Sequence, residues 1–120
     1  MFVMSQEPVP NMNASEIRIY FADKKTEKDL ADAFAVASNK FWWVEDNEYD
    51  YEEGSPEHKK ACAITDEWGK LMDEYKNRIF EILKNEGVAI PTTGQIEVLK
   101  LFMDRFGYAD GNGWWIKEEK

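Results

Sequence analysis

The sequence predicts a mainly α domain with a small β component (α+β). The expected architecture is a three-helix core with a long central hairpin of helices, plus a small two-stranded β element pairing the N- and C-terminal segments. Three observations carry that expectation. Apolar residues recur at helical spacing over three stretches, capping residues or glycines bound those stretches, and the short β-type runs lie near the two ends of the chain. At 120 residues, 43% hydrophobic and 32% charged, the chain fits one domain with its own core.

Residues 1–14 hold two prolines and two asparagines with little apolar periodicity and read as a loose N-terminal arm, leaving 15–120 as a single globular domain. From Glu16 to Phe21 the run Glu-Ile-Arg-Ile-Tyr-Phe is rich in β-branched and aromatic residues, which predicts a strand. Thr26 with Asp29 makes a weak capping box. Leu30, Phe34, Ala37, Phe41 and Val44 follow at steps of four, three, four and three, so a helix is expected over about 27–45. The run Phe41-Trp42-Trp43-Val44 would serve equally well as a buried strand, and whether residues 45–55 are helix or loop stays open at this point.

Ser55-Pro56 supplies a cap followed by proline at the first helical position. The stripe Ala61, Ile64, Trp68, Leu71, Met72, Tyr75, Ile79, Ile82 and Leu83 then predicts a long helix near 56–86, ended by Gly87. Gly69 inside it costs about 1 kcal/mol against alanine and suits close packing against a neighbour. Thr92 with Gln95 reads as a further capping box. Ile96, Leu99, Phe102, Met103 and Phe106 form the expected buried face of a third helix ended by Gly107, and Val98 and Leu101 on another side suggest that it is sandwiched centrally. The chain then passes through a turn at Asp110-Gly111-Asn112-Gly113 to Trp114-Trp115-Ile116, a second short strand whose simplest partner is the run at 16–21.

The charge is unevenly placed. Glu45, Asp46, Glu48, Asp50, Glu52, Glu53 and Glu57 carry −7 of the net −9, because the other 17 acids and 15 bases nearly cancel. Such a block disfavours direct binding to nucleic acid or to anionic lipid and suits a positively charged partner surface. Tyr49 and Tyr51 alternate with the carboxylates, and Trp42-Trp43 and Trp114-Trp115 are adjacent pairs that cannot both face one core. The expected partner-binding residues are Trp42, Trp43, Glu45, Asp46, Glu48, Tyr49, Asp50, Tyr51, Glu52, Glu53 and Trp115. The competing interpretation is a satellite core under a solvated acidic connector.

Catalytic constellations are thin. His58 and Cys62, four apart, could form a dyad, yet no third orienting group is evident, and Ala61-Cys62-Ala63 reads as small-residue packing. One histidine and one cysteine do not supply a zinc site, and the turn at 110–113 lacks the glutamate a calcium loop needs. Neither a phosphate-cradling glycine loop nor a cofactor motif is seen, so the expectation is a protein without catalytic residues, cofactor or bound metal. A lone cysteine and a start lacking a basic, apolar leader point to the cytoplasm.

Between Gly94 and Ile116, through Gly94-Gln95-Ile96, Phe106-Gly107-Tyr108 and Asp110-Gly111-Asn112-Gly113-Trp114-Trp115, the chain resembles small uncharacterised accessory proteins of bacterial mobile elements and phages. The resemblance carries no catalytic motif and transfers no site. It implies a context in which small acidic proteins block host restriction or CRISPR nucleases by occupying a basic nucleic-acid channel. The resulting expectation is a non-enzymatic acidic inhibitor that binds a basic, nucleic-acid-handling protein. The alternatives are an assembly module that forms a homodimer through exposed tryptophans, or a small enzyme of unknown reaction.

Overall fold

The computed structural model describes Val9, residues 11–110 and residues 114–117. Among these described residues four helices and one two-stranded sheet follow in the order α1 (Ala14–Tyr20), α2 (Glu27–Glu48), α3 (Pro56–Asn85), α4 (Gln95–Met103), β1 (Tyr108–Asp110) and β2 (Trp115–Lys117), with a 3₁₀ turn at Asp104–Phe106 between α4 and β1. The class is the expected one, mainly α with a small antiparallel β element, and its backbone is the long α2–α3 hairpin.

Thr26 begins α2 as foreseen. Its hydroxyl oxygen accepts from the Asp29 N–H at 3.0 Å, and the Asp29 carboxylate accepts from the Thr26 N–H at 3.4 Å. Residues 41–44 are helical, because α2 continues to Glu48. Ser55 caps α3 by accepting from the His58 N–H at 3.1 Å, with Pro56 at the first position. Leu30, Phe34 and Ala37 of α2 face Trp68, Leu71, Tyr75, Ile79 and Leu83 of α3 in one core. Each fully buried large side chain there contributes about 2 kcal/mol.

The strand expected at 16–21 is a helix. Asn13 and Glu16 make a reciprocal box, with the Asn13 amide oxygen accepting from the Glu16 N–H at 2.9 Å and the Glu16 carboxylate accepting from the Asn13 N–H at 3.0 Å. Ala14 and Ile17, three apart, are buried, while Ile19 and Tyr20 are exposed, so burial follows a helical period. At the end of the expected arm, Ala14 therefore belongs to α1 and Asn13 caps it; residues 1–8 and 10 lie outside the described residues.

Residues 16–21 are consequently not the partner of the strand at 115–117. β2 pairs instead with β1, in the register Tyr108 with Lys117, Ala109 with Ile116 and Asp110 with Trp115. The turn expected at 110–113 lies at the connection between these strands, and 111–113 fall outside the described residues. The Thr92 cap also does not form. Gly94, at φ +68°, precedes α4 without a side-chain cap, and Gln95 donates to the Pro91 carbonyl at 3.0 Å instead. Leu101 and Ile96 are exposed, so α4 is not sandwiched; the most extensive packing is that of α2 on α3, and α4 closes one flank.

Two polar contacts fix that flank. Arg105 grips Glu86 in a forked pair at 2.9 and 2.5 Å, which holds the Glu86 carboxyl below and the Arg105 guanidinium above their ordinary values. Tyr108 donates to Asp32 on α2 at 2.6 Å, and burial together with that carboxylate pushes its phenol up. Among the described residues no helix is long and apolar enough to cross a membrane.

Candidate functional site

The last turns of α2, the connector 49–55 and the first turn of α3 bring the acidic segment to one end of the hairpin. The backbone there is closed by its own hydrogen bonds: Asp50 N–H to the Asn47 carbonyl at 3.1 Å, Tyr51 N–H to Glu48 at 3.3 Å and Ser55 N–H to Glu52 at 3.0 Å. Gly54, at φ +83°, makes the left-handed turn that other residues resist. The open question about 45–55 thus has a definite answer, helix to Glu48 and hydrogen-bonded turns beyond it.

On this frame Asp46, Asp50, Glu52, Glu53 and Glu57 are exposed, and Glu45 and Glu48 are half-buried. Tyr49 is 78% exposed, Tyr51 46% and Trp42 42%. Trp42 meets Phe41 edge-on at 5.4 Å between ring centroids, while Trp43 is half-buried against the core. Among the described residues none of these seven carboxylates is in an ion pair. The ion pairs lie elsewhere, at Arg18–Glu74, Lys24–Asp23, Lys28–Asp32, Lys76–Asp73, Lys100 with Glu97 and Asp110, Arg105 with Glu86 and Glu27, and Lys117–Asp32. The final turn of α2 has three acids and no base at the negative end of the helix dipole. Each such charge weakens the helix by roughly 0.3–1 kcal/mol. Folding alone disfavours that arrangement.

Trp115 does not belong to this surface. It is 3% exposed and packs on Phe34 at 6.0 Å. Asn39 clamps its backbone, accepting from the Trp115 N–H and donating to the Trp115 carbonyl, both at 2.8 Å. Trp114, which precedes β2, is also buried, so neither ring of this pair reaches the surface, contrary to the expectation that one ring of each tryptophan pair does.

Cys62 Sγ lies 3.8 and 3.9 Å from the two ring nitrogens of His58. Burial pushes the thiol up, and the nearby Glu48 and Asp66 carboxylates push it further. A nucleophilic cysteine needs the opposite environment. Among the described residues no three histidine, cysteine or acidic side chains gather so as to hold a metal ion.

Next to the acidic turn, the seam between α2 and α3 forms a groove of about 470 Å³ lined in part by Lys40, Val44, Asn47, Tyr51, Ile64 and Trp68. Lys40 is 4% exposed, with its ammonium over the Trp68 ring 5.8 Å from the centroid. Local sequence pattern does not reveal this groove, which forms only where α2 and α3 pack. Its trace in the sequence is a lysine three residues after Ala37 and four before Val44, on the apolar face of α2.

No protein-family model, curated protein or solved structure matches the chain.

Proposed function

We propose that this chain is a non-enzymatic interaction protein whose acidic and aromatic turn docks on the basic surface of a nucleic-acid-handling protein, where it acts as an inhibitor of the anti-restriction or anti-CRISPR type. One observation carries the proposal: seven carboxylates without an ion pair among the described residues, interleaved with exposed Tyr49 and Tyr51 on a hydrogen-bonded turn. An ordered backbone holds the charges at fixed spacing, so little conformational entropy is lost on docking. Carboxylates set the on-rate and the choice of a basic partner, and aromatic rings give contact area that stacks on arginine.

The test is capture of proteins from a lysate of the source organism on the immobilised chain, in parallel with a variant carrying Glu48→Lys, Asp50→Lys, Glu52→Lys and Glu53→Lys. The expected result is a basic protein that the parent retains, duplex DNA displaces and the variant does not bind. Equal retention on both columns overturns the proposal.

Self-association is the second reading, favoured by the exposure of Trp42. A dimer in sedimentation that persists in high salt and is lost in Trp42→Arg supports it; a monomer at all concentrations removes it.

A further inference from the structure

We propose that the groove beside the acidic turn seats an amphipathic basic helix of the partner, its apolar side on Ala61 and Ile64 above the buried floor of Val44 and Trp68, and its lysines or arginines toward the carboxylates. The inference rests on the reading of the acidic turn as a docking surface and adds what the partner must present there. α1 reaches the α2–α3 seam with Asn13 and Glu16; above that point the described residues leave the seam as a groove of about 470 Å³, within the range of ligand-sized clefts of roughly 300–1,000 Å³.

The spacing along α3 selects a helix. Ala61 and Ile64 stand three apart on the accessible side of α3, and Trp68, four further on and 1% exposed, continues that face as the floor of the groove, about 10 Å from end to end. An incoming helix places its own apolar anchors at i, i+3 or i+4, and i+7 over that same length. Val44, on α2, completes the floor, and Ile64, 37% exposed, is the accessible apolar edge.

Charge selects a basic helix. Glu16 and Glu67 line the groove, and Asn47 and Tyr51 continue it into the acidic turn. Lys40 is the one cation among the described lining residues, and it is 4% exposed, with its ammonium over the Trp68 ring. A helix with an apolar stripe between basic flanks satisfies both features, whereas a uniformly basic chain satisfies only the second.

The probe is a synthetic leucine–lysine peptide with leucine at i, i+3, i+4 and i+7, compared by calorimetry with a scrambled peptide of the same composition and with polylysine of the same charge. The amphipathic peptide is expected to bind about tenfold more tightly than the scrambled one. Ile64→Glu, which removes apolar surface and adds attraction for a cation, is expected to erase that preference and leave polylysine binding intact; Ile64→Gln replaces it if circular dichroism shows an altered fold. Equal binding of the two peptides, or a preference that survives at Ile64, overturns the groove inference. Polylysine binding that is unchanged by charge reversal at Glu48, Asp50, Glu52 and Glu53 overturns instead the docking role of the acidic turn.

Discussion

The ring of Phe41 on α2 lies against Gly69 on α3, its Cε1 3.0 Å and its Cδ1 3.3 Å from the point a β-carbon on Gly69 would take. The glycine in the middle of the longest helix therefore has a packing reason: it lets α2 approach where the acidic end of the hairpin begins, and the displaced ring would carry Trp42 with it.

Gly69→Ala tests this contact. Helix propensity alone favours alanine by about 1 kcal/mol, and the crowded ring offsets that gain, so the urea midpoint is expected to change by less than about 0.5 kcal/mol in equivalent stability. Gly69→Val is expected to cost about 2 kcal/mol through overpacking. A full gain of about 1 kcal/mol for alanine contradicts the contact.

Asn39→Ala removes both hydrogen bonds that the side-chain amide makes with the Trp115 backbone. The amide acts as the next strand would, and its loss leaves a half-buried N–H and carbonyl without their partner. A destabilisation of about 2–3 kcal/mol is expected by denaturant unfolding, with Trp115 fluorescence shifted to the red. A cost under about 0.5 kcal/mol contradicts the clamp.

This clamp also shows where the sequence was legible and where it was not. The long helices were readable because stripe, cap and terminator agree: Ser55 and Pro56 start α3, Trp68, Leu71, Tyr75 and Ile79 repeat its buried face, and Gly87 follows its end. Residues 16–21 imitate a strand because Ile17, Ile19 and Phe21 alternate, while the signal that decides them, Asn13 capping at Glu16, lies upstream of the run in a segment that reads as an arm. The burial of Trp115 depends on Asn39 and Phe34, 76 and 81 positions away, a pairing that local pattern does not encode. The acidic segment was visible as composition, but its hydrogen-bonded turn and the adjacent groove arise only when α2 and α3 pack.

Asp46→Lys separates stability from function. It replaces an anion by a cation in the last turn of α2, where the helix dipole favours the cation, and is expected to raise stability by about 0.5–1 kcal/mol in thermal unfolding. The same change is expected to weaken binding of a basic partner. Parallel changes in both quantities contradict the account.

Glu48→Gln is expected to lower the pKa of Cys62 without restoring it to the ordinary value, because burial remains the larger cause of its upward shift. The pH profile of thiol alkylation measures this: its midpoint moves to lower pH in the variant. An unmoved midpoint places Glu48 away from the thiol and contradicts the packing of the α2 end on α3.

The central claim is that the acidic turn is a docking surface for a basic protein. Its most direct test is the dissociation constant of the captured partner across a salt series, for the parent and for the variant with lysine at positions 48, 50, 52 and 53. Affinity of the parent is predicted to fall steeply as salt rises, and the variant is predicted to lose binding already at low salt. Salt-insensitive binding that the variant retains in full would contradict the claim and leave residues 45–57 as a solvated connector.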